Sequence, residues 1–379
     1  MIQSRFFVPL LFAFAFSSCL NQAPKGVVIE MQSPDLPDST AVFITGSIPQ
    51  LGNWNPNAVK MKALGKHVWQ FQLSDSIPDL VEYKFTLGSW EKEAAGANGL
   101  PLQNLILKAK GDTTVRNTIY FWLDGKPKTF NGQITGKVEY HRQLHGDSLI
   151  DRDLVVLLPN DYASNNEKHY PVLYMHDGQN IFDPATSSFG VDWQIDETLD
   201  SMSKIGNREI PIVVGIYNTI ERTPDYTIGQ QSQDYMAFVV DIVKPFIDKH
   251  YRTKPQKEFT SIGGSSYGGL ISFRLAWEYP DVFSKAYCLS PALKVQNIDY
   301  VKNVREGGKP DVVFYLDNGG IGLEEQLQPG IDEMIAALKQ KGYIENKDFF
   351  WVHDKSARHF ESDWAKRMPK AFELMLEKK

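Results

Sequence analysis

Phe259-Thr-Ser-Ile-Gly-Gly-Ser-Ser-Tyr-Gly-Gly-Leu-Ile-Ser-Phe-Arg-Leu-Ala-Trp277 is the stretch on which the reading of this chain turns. A short apolar run, Phe259 to Ile262, enters a glycine cluster, and an amphipathic run from Leu270 to Trp277 leaves it and stops before Pro280. That order predicts strand, sharp turn, helix. Inside the turn, Gly264-Ser-Ser266-Tyr-Gly268 fits G-x-S-x-G, where glycines two before and two after the serine let the backbone double back and present its hydroxyl. Ser266 is therefore the candidate nucleophile. The competing reading is an ordinary Gly/Ser turn before a helix, since both residues are favoured in turns. The partners found elsewhere decide between the two.

Outward from this stretch, strand-like apolar runs recur at Leu154–Leu158, Val172–Met175, Ile212–Ile216, Ala286–Leu289, Val312–Leu316 and Phe349–Val352. Helix-like stretches, Tyr235–Asp248 and Gln328–Lys341 among them, lie between. Over residues 137–379 this alternation predicts an α/β domain, a mostly parallel sheet with helices on both faces and ligands beyond the carboxyl ends of its strands. A serine at neutral pH needs a base, an orienting acid and two oxyanion donors, and the α/β-hydrolase order Ser, acid, His can be searched for directly. His359, in Ala357-Arg-His-Phe-Glu-Ser-Asp-Trp364 after the last strand, is the expected base, with His353, still in the strand, as the alternative. The acid is expected in Tyr315-Leu-Asp-Asn-Gly-Gly-Ile-Gly-Leu-Glu-Glu325; Glu324, read as a loop residue, is chosen, with Asp317 and Glu325 left open. Tyr267 N–H supplies one oxyanion donor, and Met175-His-Asp-Gly-Gln-Asn180 the second, assigned to Gln179 with Gly178 as the alternative. His176 and Asp177 have no second His/Asp cluster at ligand spacing beside them, so neither a metal nor a cofactor is expected.

Several marks then carry a family resemblance. They are Tyr170-Pro-Val-Leu-Tyr-Met-His-Asp-Gly-Gln-Asn-Ile-Phe-Asp183, Trp193-Gln-Ile-Asp-Glu197, Arg222 with Asp225-Tyr226, Tyr251-Arg-Thr253, the Ser266 turn, and His359 with Trp364. With these, residues 137–379 resemble the enterochelin-esterase and carbohydrate-esterase family 1 group, the esterase D-like family. The resemblance implies serine-dependent ester hydrolysis without a metal. Trp193 and Arg222, beside the oxyanion loop and in a strand-following loop, are candidate substrate contacts, with packing or a structural ion pair as the other reading.

Residues 26–124 have a different texture. Apolar and aromatic runs (Val27–Met31, Ala41–Thr45, Val68–Leu73, Glu82–Leu87, Thr118–Leu123) are separated by Pro, Gly, Asn and Asp clusters, which predicts a small all-β, immunoglobulin-like sandwich. Gly46-Ser-Ile-Pro-Gln-Leu-Gly-Asn-Trp54, Val68-Trp69, Glu82-Tyr-Lys-Phe85 and Trp90-Glu91 resemble the starch-binding, family 20 carbohydrate-binding module. That resemblance implies a sugar platform on Trp54, Lys84 and Trp90; indole faces stack on pyranose rings and an ammonium donates to hydroxyls. Trp69 is expected in the core. Residues 125–136, with Lys126-Pro-Lys128 and Asn131-Gly132, read as a linker.

The 379 residues, 42% hydrophobic and 12% aromatic, suffice for two buried cores. A formal charge of −6 with no long basic run gives no electrostatic footprint for nucleic acid, which is excluded as a partner. Residues 1–19 read as a lipoprotein-type signal peptide: Arg5, an apolar run from Phe6 to Phe16 too short to span a bilayer, then Phe16-Ser-Ser-Cys19, which resembles a lipobox with Cys19 as the lipidated residue. An exported bacterial lipoprotein, membrane-anchored and periplasmic or cell-surface, is expected. The other of the two cysteines, Cys288, lies in an apolar run and reads as a buried structural thiol. The function expected is an exported serine esterase acting on acylated carbohydrate. The alternatives are a surface glycan-binding protein with an inactive hydrolase domain, or an esterase of a siderophore-like small ester.

Overall fold

A computed structural model describes residues 26–376 except 75–76, 79, 96–100, 103, 109–110, 124–131, 147–148, 207, 220 and 296. The expected signal peptide, its Cys19 and the first part of the expected linker lie outside the described residues. The chain divides into two compact units, one made largely of residues up to Trp122 and one running onward from Leu123.

The first unit is built on two four-stranded sheets. In one, Val27–Gln32 pairs antiparallel with Val68–Gln72 and parallel with Thr113–Thr118; in the other, Phe43–Gly46 pairs antiparallel with Val81–Thr86. Strand periodicity puts Val27, Ile29 and Met31 on one face, and these meet Ile44, Tyr83 and Phe85 from the second sheet in a single core. Trp69 is 1% exposed in that core, as expected, its indole N–H donating to Thr40 O at 3.1 Å.

The second unit carries an eight-stranded sheet, labelled here β1 (Lys137–Gly146), β2 (Leu149–Leu158), β3 (Val172–His176), β4 (Ile212–Ile216), β5 (Thr260–Ser265), β6 (Lys285–Leu289), β7 (Val313–Ile321) and β8 (Phe349–Arg358). Its spatial order is β1-β2-β4-β3-β5-β6-β7-β8. Only the β1/β2 and β2/β4 pairs are antiparallel; β4 through β8 run parallel. The central strands are buried on both faces, so alternate residues feed two cores: Val172 and Tyr174 enter one, Leu173 and Met175 the other. Cys288 is fully buried in the first. The architecture is the expected one, an α/β-hydrolase sheet after a β-sandwich.

Four helices matter for the site: α1 (Ile195–Ile205), α2 (Tyr267–Glu278), α3 (Leu323–Gln340) and α4 (Glu361–Met375). One local expectation is corrected, the placement of Glu324 in a loop. Here β7 runs to Ile321, Gly322 caps at φ +72°, and Glu324 sits in the first turn of α3. The described part of the expected linker is tied down, Gln133 N–H donating to Asp183 and Thr135 N–H to Asp196 at 2.6 Å. Among the described residues no helix is long and apolar enough to cross a membrane.

Candidate active site

β5 ends at Ser265 and α2 starts at Tyr267, leaving Ser266 alone to reverse the chain at φ +57°, ψ −122°. A non-glycine residue in such a conformation stores strain of about 1–3 kcal/mol and persists only where its surroundings over-determine it. Here the Ser266 amide donates to Leu289 O at 3.0 Å and its carbonyl accepts from Leu270 and Ala292 N–H. Gly264 must lack a side chain: a Cβ there would come within 2.8 Å of the Gly268 backbone across the turn. Tyr267 opens the helix, so its N–H belongs to the positively polarised end of α2.

Ser266 is thereby bonded to the residue preceding Ser290, and around Ser290 the acid and the histidine meet. Glu324 is fully buried; its Oε2 lies 3.5 Å from His359 Nδ1, an ion-pair separation rather than a full hydrogen bond. Its Oε1 accepts from the Ser290 hydroxyl at 2.7 Å and faces Arg367 Nη2 at 3.5 Å. Burial alone would raise the Glu324 pKa, but the His359 imidazole, Arg367 and the Ser290 hydroxyl outweigh it and hold the carboxyl below its usual range. His359 follows β8 and precedes α4, with its ring packed edge-on against Trp364 at 4.9 Å. His353 stays in β8, exposed, with Nε2 on Gly319 O.

Asp317 is equally buried but differently engaged. It accepts from Ser290 N–H at 2.9 Å and Tyr315 O–H at 3.1 Å, and Arg367 Nη1 lies 3.3 Å away. Burial dominates over these partners and pushes its pKa up to about 6. Glu325 is exposed on α3. Of the three acids, Glu324 is the one beside His359.

The loop after β3 begins with Asp177 at φ +57° and turns through Gly178–Asn180. Asn180 N–H closes the turn on Asp177 O, while the Gln179 side-chain oxygen accepts from Asn218 N–H at 3.2 Å. A Cβ on Gly178 would fall 2.4 Å from the Gly215 backbone, so only glycine lets this loop lie on β4. Asp177, buried, is gripped by Arg222 Nε and Nη2, both at 2.7 Å, and by Asn218 Nδ2 at 2.6 Å. Burial would raise its pKa, and Arg222 more than reverses that. His176 is fully buried on Tyr235 O–H, and burial pushes its pKa down to about 3, so it stays neutral.

Three of the expected contact residues have partners within the protein. Arg222 is ion-paired with Asp177 at 2.7 Å, the structural pair that was its other reading, and 29% of its side chain stays exposed. Trp193 is 1% exposed and packs against Trp364, ring centroids 5.3 Å apart and planes tilted by 43°, which is the packing reading of this residue. In the first unit Lys84 is 6% exposed and ion-paired at 2.6 Å with Glu93, whose pKa burial raises. Its ammonium is committed, and it lies 5.9 Å over the Trp90 ring. Trp90 and Trp54 are half-buried, Trp54 held at φ +65° after Gly52 and Asn53, also at positive φ. Sequence spacing also missed a cluster at the start of α1, where ligand oxygens of Asp192, Asp196 and Glu197 lie within 4.8 Å of one another. Burial first, then neighbouring carboxylates, push Asp192 up to about 6 and Asp196 up to about 8. Acidic residues in a first helical turn carry no chemistry by themselves.

Comparison with known proteins agrees with this fold. A family model described as "Putative esterase" matches residues 150–374, and one described as "Starch binding domain" matches residues 27–99. An amylopullulanase of Thermoanaerobacter thermohydrosulfuricus is 29% identical over 105 residues, 27% of this chain and 7% of that protein. An endo-1,4-beta-xylanase/feruloyl esterase of Xylanibacter ruminicola is 25% identical over 193 residues, 50% of this chain and 25% of that protein. The chain thus spans a quarter or less of the length of these relatives. A solved ferulic acid esterase shares the fold, with TM-score 0.52 and 19% identity over 63% of this chain and 96% of its own. By the match over residues 150–374, the chain belongs to that esterase family, with a starch-binding type of module preceding the esterase part.

Proposed function

We propose that the protein is an exported serine esterase that removes acyl groups from carbohydrate. Ser266 Oγ attacks the ester carbonyl while His359 Nε2 takes its proton, and Glu324 holds the imidazole and stabilises the imidazolium. The negative charge on the tetrahedral oxygen is met by the Tyr267 and Gln179 backbone amides; losing one such donor costs about 10²–10³ in rate. Collapse breaks the bond to the sugar oxygen, which leaves with the histidine's proton, and Ser266 carries the acyl group. Water, deprotonated by His359, attacks that acyl-enzyme, the carboxylic acid departs, and the serine regains its proton.

The observation that carries this reading is the strained Ser266 turn bonded to the strand whose next residue holds the Glu324–His359 pair. A carbohydrate substrate is supported by the starch-binding type of module, by half-exposed Trp54 and Trp90, and by relatives named for polysaccharide and feruloyl-ester cleavage. Export and a lipid anchor at Cys19 rest on the leader composition alone. Tethering of this kind raises effective concentration at a polymer without changing the site.

The test is release of acid from 4-nitrophenyl acetate, methyl ferulate, acetylated xylan and a cyclic catecholate ester, by the purified chain and by Ser266→Ala. Serine-dependent release from a sugar ester is expected. Release from the catecholate ester alone would move the substrate to small siderophore-like esters, and no serine-dependent release from any member would leave a glycan-binding protein.

A further inference from the structure

Ser290 sits between the acid, the histidine's neighbour and a second buried carboxylate, and three observations define what its hydroxyl does. Trp364 Nε1 lies 3.1 Å from it, Arg367 Nη2 2.8 Å and Glu324 Oε1 2.7 Å. An indole N–H and a guanidinium can only donate, and a hydroxyl has two acceptor positions and one proton. With both acceptor positions filled, the Ser290 proton has one destination, Glu324 Oε1. The bond is therefore directional, and it separates the roles of the two carboxylate oxygens: Oε1 is held by Ser290, and Oε2 faces His359 Nδ1.

The backbone says the same. Ser290 has φ +41°, outside the region a serine prefers, and is held there by its N–H donating to Asp317 Oδ1 at 2.9 Å and Asp317 O at 3.1 Å. Asp317 is itself fixed by Tyr315 O–H and Arg367. The left-handed backbone carries the chain away from Leu289, whose carbonyl binds the Ser266 amide, and turns the Ser290 hydroxyl to the Glu324 side. Trp364, the other donor to Ser290, packs its ring edge-on against His359.

We infer that Ser290 is the positioning residue of the acid–imidazole pair: its hydroxyl dictates which oxygen of Glu324 faces His359, and through Trp364 it fixes the plane of the imidazole. This explains why a second carboxylate, Asp317, is buried beside the first. Asp317 holds Ser290, and Ser290 orients Glu324. The inference rests on the triad proposed above.

The experiment compares Ser290→Ala, Ser290→Gly and Ser266→Ala with the wild-type chain, on 4-nitrophenyl acetate, at a temperature where circular dichroism shows each to be folded. Both Ser290 variants lose the hydroxyl, but glycine accepts φ +41° without strain whereas alanine does not. Because the bond is made to a charged group and is used in the transition state, kcat is expected to fall about 10- to 100-fold in both, with KM within about twofold. A merely structural residue would separate the two variants by melting temperature and leave kcat of the folded enzyme unchanged. Wild-type kcat in either folded Ser290 variant, with Ser266→Ala inactive, overturns the inference alone; activity surviving in Ser266→Ala overturns the triad beneath it. Should one Ser290 variant not fold, the other carries the same reading.

Discussion

Replacing Glu324 by Gln changes one atom type, and the surroundings dictate how the new amide must sit. Oε1 receives the Ser290 hydroxyl proton at 2.7 Å and faces the Arg367 guanidinium at 3.5 Å, so an NH2 group there would oppose two donors. The carbonyl of Gln therefore keeps the Oε1 place and the NH2 turns to His359, where it donates to Nδ1. That fixes the proton on Nε2, the nitrogen that has to receive the proton of Ser266. The charge is lost as well. At 3.5 Å and an effective dielectric constant of about 20, the imidazolium–carboxylate attraction is about 5 kcal/mol gross. Arg367 beside the pair offsets part of this, and with the wrong tautomer added the loss in kcat comes to roughly 10³–10⁴. The assay is kcat and KM on 4-nitrophenyl acetate near neutral pH, with melting curves to show that the fold is intact. Asp317→Asn is the comparison, because its Oδ1 can still accept from Ser290 N–H; a loss of about tenfold or less is expected there. An E324Q enzyme within tenfold of wild type would refute the assignment, and the reverse ranking would give the acid's role to Asp317.

Other consequences follow from the same geometry. Gly178→Ala puts a methyl group 2.4 Å from the Gly215 backbone, so the oxyanion loop must shift; ester hydrolysis should fall at least about 100-fold, and a wild-type rate would contradict the loop's placement on β4. Asp196, with its pKa pushed up to about 8, holds in the folded chain a proton that the unfolded chain releases near its ordinary value. Stability from this group is therefore lost as pH rises from about 4 toward 8. Asp196→Asn mimics the protonated form, so its melting temperature relative to wild type should be higher at pH 8 than at pH 5; an equal difference at both would refute the shift. Trp54→Ala with Trp90→Ala should abolish retardation on amylose in affinity electrophoresis while leaving 4-nitrophenyl acetate turnover unchanged. Undiminished retardation would remove both residues from the sugar platform.

Much of this molecule was legible in its sequence, for identifiable reasons. Strands of a parallel sheet covered on both faces are nearly continuous apolar runs, so the central strands announce themselves. β1 does not: Lys137–Gly146 alternates exposed polar residues along an antiparallel edge pair and gives no apolar run. Ser266 and His359 were readable because glycines and chain order mark their places. Glu324 was chosen from three acids as a loop residue, yet it lies in a helix; the glycines before it disguised the helix start, and only the strand-to-helix path of β7 and α3 brings it to His359. For Arg222 and Trp193 the sequence left ligand contact and packing or an ion pair both open, and Lys84 was named through the module resemblance. Their partners Asp177, Trp364 and Glu93 are given by tertiary packing and leave no mark in spacing. Ser290 had no local signal at all, since its place in the site comes from a left-handed backbone and partners in three other segments.

The central claim is that Ser266 is the nucleophile of an acyl-transfer site, and a covalent label tests it most directly. The purified chain is treated with an alkyl fluorophosphonate, which phosphonylates activated serines, and intact mass and peptide mapping locate the adduct. One adduct is predicted, on the peptide containing Ser266, with hydrolysis of 4-nitrophenyl acetate lost in step and both label and activity absent from Ser266→Ala. An adduct on another residue, or hydrolysis that persists in Ser266→Ala, would contradict the account.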